Sequence, residues 1–328
     1  MTIKQIYDFA IKEGIKNDIR GDGRVKEILR RENDKFKKLS EEKKADFDQE
    51  SLVNPYSDSR VYHGDLDKKI KKVLIGIDID TAEVLLASEI NRRHPDNPID
   101  LIISHHPISY GLAGLHEVME LQAEVYAKYG VPINIAEKLM KKRIGEVSRS
   151  VSGANHCQSS DAAKLLDIPI MSIHTPADNH VANFLVSEIK KREKKLVYVQ
   201  DIMDFLLEIP EYKQAVKRKA GPMIFAGSPD SFAGKIAVTE ITGGTDGAKE
   251  LYERLAHAGV GTVLSMHLRE EWKEEAAKNH LNVVMVGHIS SDSLGLNLLF
   301  DKIEKRGVEI VACSGFDRFC RNKKPKSK

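Results

Sequence analysis

The chain has 328 residues, 41% hydrophobic and 30% charged, and its 51 Lys and Arg against 49 Asp and Glu leave a formal net charge of only +2. That length suits about two domains, or two lobes of one, with apolar material for a sizeable core. Near-neutrality removes the electrostatic reason to expect nucleic acid or an anionic membrane as a partner.

Residues 1–65 read as a charged helical extension packed on the main body. Thr2 is placed to cap a helix running through Lys12, and 24–45 mixes both charge signs around sparse apolar positions, as a solvated helix face does. The stretch 54–65, with Pro55 and Gly64, is loop-like. From Lys71 short apolar runs alternate with longer helical patterns. Strands are predicted at 73–79, 99–104, 131–135, 168–174, 196–199, 235–241, 262–266, 282–287 and 308–312. Helices are predicted at 82–93, 115–129, 162–166, 181–194, 201–218, 248–258, 269–278 and 293–305. Such alternation implies crossover connections and an α/β fold with largely parallel mixed sheets, covered on both faces. The segment 220–232, with Gly221, Pro222, Gly227 and Pro229, reads as a join between a first α/β lobe (66–220) and a second (221–328). The basic tail 321–328 reads as solvated.

No apolar run approaches the roughly 20 residues of a membrane helix, and no secretory pattern opens the sequence. The three cysteines, Cys157, Cys313 and Cys320, are an odd number that reads as free thiols in a reducing compartment. A cytoplasmic protein with no membrane partner is therefore expected.

Three apolar runs end in histidine-bearing loops. In Ile102-Ile103-Ser104-His105-His106-Pro107 a strand ends in two adjacent imidazoles, either turn histidines or groups facing a ligand at the carboxyl end of a sheet. In Ile173-His174-Thr175-Pro176-Ala177-Asp178-Asn179 a carboxylate follows a histidine by four residues, and Asp178 can equally be a helix N-cap. In Val286-Gly287-His288-Ile289-Ser290-Ser291-Asp292 the same spacing recurs. His288 and Asp292 would share a helix face, unless Asp292 caps a helix starting near Ser293. Imidazoles with carboxylates suit Zn, Fe, Mn or Co. The count exceeds the three or so ligands of a mononuclear catalytic site and favours two ions about 3.5–4 Å apart. No nucleophile elbow, Cys-His constellation, phosphate loop or dinucleotide fingerprint is readable. The turn Thr242-Gly243-Gly244-Thr245-Asp246-Gly247 can still present backbone N–H groups to an anion.

Over residues 71 to 315 the sequence resembles the Nif-three-like (NGG-interacting-factor-three-like) family, whose members are often labelled type-2 GTP cyclohydrolase homologues. Gly76-Ile77-Asp78-Ile79-Asp80-Thr81-Ala82-Glu83-Val84 looks like the family's leading strand and helix start. Ser104-His105-His106-Pro107 matches its double-histidine signature. His174-Thr175-Pro176-Ala177-Asp178 matches its His-Thr-Asn-Leu-Asp with two substitutions, and Gly287-His288 with Asp292 matches its late Gly-His motif, where Glu is usual. The resemblance implies two similar α/β lobes, a dinuclear centre with His105, His106, Asp178, His288 and Asp292 as ligands, and a homohexameric ring. Where a Thr-Gly-acid pattern would be expected, Ser265-Met266-His267 stands instead. His267, Glu271 and His63 are secondary candidates for the cavity, a surface helix being the expected place of the first two. Asn155-His156-Cys157 belongs to a long stretch with no assigned role.

The expected activity is hydrolysis of a small nucleotide or phosphoester by a water activated between two divalent ions, with His174 exchanging protons. The rivals are a cyclohydrolase-type attack on a purine ring and a non-catalytic metal-binding ring assembly.

Overall fold

The computed structural model describes residues 1–322; positions 323–328 of the basic tail lie outside the described residues. Arg321 is not solvated as expected: its guanidinium donates to both carboxylate oxygens of buried Glu211, at 2.7 Å each.

Nine strands form among the described residues: β1 Val61–His63, β2 Lys72–Gly76, β3 Leu101–Ser104, β4 Ile170–Ser172, β5 Met223–Ala226, β6 Lys235–Val238, β7 Val260–Ser265, β8 Asn282–Met285 and β9 Glu309–Cys313. They make two mixed sheets of an α/β fold, in orders β1-β4-β3-β2-β9 and β5-β8-β7-β6. Each is parallel apart from one antiparallel edge strand, β1 in the first and β5 in the second. β9, from the segment assigned to the second lobe, pairs with β2 of the first sheet.

Strand alternation divides the side chains between layers. Val73, Ile75, Leu101, Ile103 and Met171 face a core shared with the helix Ile3–Asn17, while Leu74, Ile102 and Ile170 face Val84, Ala87 and Ala163 on the other side. The second sheet divides likewise, with Val263 and Val283 on one face and Leu264 and Val284 on the other. The helices Thr175–Arg192 and His288–Glu304 lie between the sheets: Ala177, Leu296 and Phe300 join the first core, Val181, Leu185 and Leu294 the core on the second sheet. A helix buried on both sides must be apolar around most of its girth. Gly295 permits the two helices to cross closely, since a Cβ there would lie 2.5 Å from Ala177 O.

Several expected elements differ. The run 131–135 is not a strand; Pro132 precedes the twenty-residue helix Ile133–Ser152, whose buried Ala136, Met140, Arg143 and Val147 recur at helical spacing. The run 196–199 is not a strand either, because the Asp201 carboxylate accepts from the N–H groups of Val197 and Tyr198 and starts the helix Val199–Leu207. The segment 220–232 contains the edge strand β5, and the loop 54–65 contains β1. The N-terminal helix is capped by Thr2 with Gln5 and buries Ile3, Ile6, Tyr7, Ala10 and Ile11 in the first core. No helix among the described residues is long and apolar enough to cross a membrane. All three cysteines are free.

Candidate metal centre

Gly76, Ser104 and Ser172 stand side by side at the carboxyl ends of β2, β3 and β4. The chain beyond each stays in register: His105 N–H donates to Gly76 O, His106 N–H to Ile77 O, and Ile173 N–H to Ser104 O, all at 2.9 Å. Adjacent His105 and His106 therefore leave the sheet beside His174. From the second sheet, Ser265 pairs with Met285, so His267 and His288 emerge together two and three residues further on.

Both capping alternatives are overturned. The helix carrying Asp178 starts at Thr175, since Pro176 fits the first turn, and Asp178 is fully buried within that turn. The helix carrying Asp292 starts at His288 after Gly287, whose φ of 95° is readily adopted by glycine. Asp292 thus lies one turn along, on the face of His288.

The groups converge. His105 Nε2 is 3.3 Å from Asp178 Oδ1 and 3.4 Å from Asp292 Oδ1. His106 Nε2 is 3.4 Å, and His288 Nε2 3.7 Å, from Asp292 Oδ2. His174 Nε2 is 3.6 Å from Asp178 Oδ2. Donor atoms of three triads lie within 4.8 Å of one another: His105, Asp178 and Asp292; His106, His288 and Asp292; and His105, His106 and His174. His105 Nε2 and both oxygens of Asp178 and of Asp292 are buried and make no hydrogen bond. Such orphaned atoms are rare in folded proteins, and this donor set fits divalent cations.

Second partners fix the imidazoles so that Nε2 faces the cluster, as they do for metal-bound histidines. His105 Nδ1 is 3.2 Å from Ile173 O, His106 Nδ1 2.7 Å from Asp78 Oδ1, and His174 Nδ1 2.8 Å from Asp58 Oδ2. Asp58 is wholly buried and also accepts from Thr175 Oγ1 at 2.6 Å. The electrostatics follow. Burial opposes a charge on His105, yet Asp292 and Asp178 hold its pKa up at about 10. The same opposition at His106, won by Asp292 and Asp78, gives about 9. Burial pushes His288 down to about 4. Asp292 lies well below the usual carboxylate range, burial being outweighed by the imidazoles around it. Two histidines protonated beside paired carboxylates do in part what a cation would do.

A cavity of about 440 Å³ opens over the cluster, lined by His106, His174, His267, His288, Gly244 and Thr245 among others. His267 was expected on a surface helix. Instead it lines this cavity, its ring 4.4 Å from that of His288 and its Nδ1 3.1 Å from Glu240 O. Glu271 pairs with Lys249 on the surface, and His63 pairs with Asp167 away from the site. Asn155-His156-Cys157 joins two helices, His156 O accepting from Ser109 N–H. Asp58 and Asp78 escaped the sequence reading as site residues. Asp78 had a signal, since it follows the apolar run of β2 where a parallel sheet presents its ligands; Asp58, in a loop, had none.

No sequence model of a known family matches the chain, and no curated protein does. Solved structures do. The chain is 32% identical to a NIF3 superfamily protein from Sphaerobacter thermophilus, over 79% of this chain and 91% of that one, with a TM-score of 0.71. It also matches reduced HcgD from Methanocaldococcus jannaschii at 18% identity, over 83% and 94% of the two chains, with a TM-score of 0.49.

Proposed function

The chain belongs to the NIF3 superfamily, and from that premise we propose that it is a hydrolase of small phosphoesters, nucleotides included, that works with two divalent ions. Its clustered His and Asp residues fit a metal-binding protein. His105, Asp178 and Asp292 would hold one ion and His106, His288 and Asp292 the other, Asp292 being shared. The observation that carries this reading is the set of orphaned atoms on His105, Asp178 and Asp292. The imidazoles offset only part of the cost of two buried carboxylates, and a divalent cation would offset the rest.

Ions held there supply Lewis acidity to a water and to a phosphoryl group. The chain's own residues orient and exclude. Ile173 O and Asp78 set the rings of His105 and His106. His174 lines the cavity, and with Asp58 accepting from Nδ1 its Nε2 is left to exchange a proton with substrate. A homo-oligomer, as the family resemblance implies, forms part of the proposal.

Elemental analysis of the purified protein beside His105→Ala and Asp292→Ala tests the centre. Near two equivalents in the parent and a clear drop in each variant are expected; metal content indifferent to both changes would remove the basis of the reading. Turnover is tested by chelator-sensitive release of phosphate or nucleoside from a panel of phosphoesters and nucleotides. Formate release from GTP would point to ring opening instead, and two bound ions without any turnover would point to a binding assembly.

A further inference from the structure

The cavity over the cluster has a second wall that the metal reading does not use. After β6 the chain passes Glu240 and runs through 242–247, where Gly243 and Gly244 have φ of 85° and 91°. The loop is packed from behind: a Cβ on Gly243 would lie 2.8 Å from Leu121, and one on Gly244 3.0 Å from Met119. Buried Gln122 donates its amide to Gly243 O at 2.8 Å and to Thr245 O at 2.6 Å. A trans peptide turns each N–H opposite to the preceding carbonyl. The N–H groups of Gly244 and Asp246 therefore point away from Gln122, which does not line the cavity, while Gly244 and Thr245 do.

Among the described residues, no hydrogen-bond acceptor meets the N–H of Gly243, Gly244, Thr245 or Asp246, whereas Gly247 N–H donates to Glu240. All but Thr245 of these four residues are buried. Buried backbone donors are nearly always paired, and of these four residues Gly244 and Thr245 line the cavity, so their successive unpaired N–H groups call for an acceptor from outside the chain. The one acid in the loop is held back, because Asp246 takes the buried Arg143 guanidinium at 2.8 Å. No Lys or Arg among the described residues lines this cavity. Asp78 and Asp80 also line it, so an anion entering the cavity is favoured on the side of the amide N–H groups and kept away from the carboxylates of the opposite wall.

We infer that the loop 242–247 is the subsite for an oxyanion of the substrate, a phosphoryl group held by backbone N–H groups across the cavity from the metal ligands. This rests on the phosphoester reading above and assigns the group that binds the part of the substrate not being attacked.

The probe is inorganic phosphate, with the full chain both metal-loaded and chelator-treated. Hydrogen–deuterium exchange followed by mass spectrometry should show at least threefold slower exchange at 242–247 on adding phosphate, in both forms. Thr245→Glu, which sets a carboxylate at the loop's most exposed position, should weaken phosphate binding tenfold or more with metal content as in the parent. If Thr245→Glu fails to fold, exchange in the parent alone decides. Phosphate that binds the metal-loaded protein without slowing exchange at 242–247 would overturn the inference and leave the metal centre standing. Protection of the loop in a protein that takes up no metal would support the subsite and sink the metal reading.

Discussion

Gly295 and Ala177 touch across the two central helices so closely that any side chain on Gly295 would strike the Ala177 carbonyl, 2.5 Å from the added Cβ. Asp178 follows Ala177 directly, and Asp292 lies one turn before Gly295, so this crossing sets the distance between the two carboxylates. Gly295→Ala should force the helices apart at a cost of about 1–3 kcal/mol. A lower thermal midpoint and reduced metal content are both expected. Gly23→Ala, in an exposed helix with nothing within 4 Å, serves as the control and should be neutral or stabilising by about 0.5–1 kcal/mol.

Removing metal should lower stability, since a ligand bound only by the folded state contributes about 2.7 kcal/mol at a hundred times its Kd. Loss under a chelator should also be biphasic. His105, Asp178 and Asp292 are sealed, while the His106 and His288 side chains are 25% and 36% exposed. The more open set should release first. Stopped-flow chelation with a chromogenic indicator reads both phases, and a single phase releasing two equivalents would contradict this asymmetry.

Asp58 gathers the His174 ring and the Thr175 hydroxyl on one buried carboxylate oxygen. Asp58→Asn exchanges a charged acceptor for a neutral amide, whose NH2 replaces the oxygen that now accepts from Ser59 Oγ at 3.2 Å, at a cost of about 1–3 kcal/mol. Metal content should stay near the parent's, because Asp58 is not among the donor triads. Turnover, where the phosphoester panel finds it, should fall at least about tenfold with the proton-exchanging ring misaligned. Parental turnover would remove His174 from the chemistry.

Glu240 supplies a pH dependence. Its carboxylate is buried and accepts from Tyr126 OH, Tyr252 OH, Ser265 Oγ and Gly247 N–H, with Asp246 as the nearby like charge. Burial raises its pKa to about 7, against the donors that favour the charged form. The folded state then holds a proton that the unfolded state has lost, so this contribution is full below about 4.5 and disappears as pH rises through about 7. The stability of the parent relative to Glu240→Gln should be greater at pH 5 than at pH 8, by up to about 3 kcal/mol. Denaturant titration at the two pH values measures it, and an equal gap at both would refute the assignment.

Much of this architecture was legible because burial on two faces leaves a simple mark. Val73-Leu74-Ile75 and Leu101-Ile102-Ile103 are continuous apolar runs of the kind that central parallel strands require. The imidazoles were legible because they follow such runs directly. The two aspartates were harder, since Asp near a helix start serves equally as cap or ligand; Pro176, fitting the first helical turn, held the deciding signal in one case. The helix Ile133–Ser152 was obscured because its buried stripe includes Arg143, which satisfies its charge on Asp246. Asp58 and Glu240 owe their roles to partners up to 116 residues away, and no local pattern encodes those.

The central position of β2, between β3 and β9, bears on how the molecule is made. On the ribosome, β3 soon follows β2, but the strand that covers its other side, Glu309–Cys313, emerges only after the whole second sheet has been synthesised. Until then the nascent protein carries an unpaired, apolar edge at Val73, Leu74 and Ile75, the kind of strand that recruits other chains. Emergence of Glu309–Cys313 is thus the step that ends its exposure to aggregation.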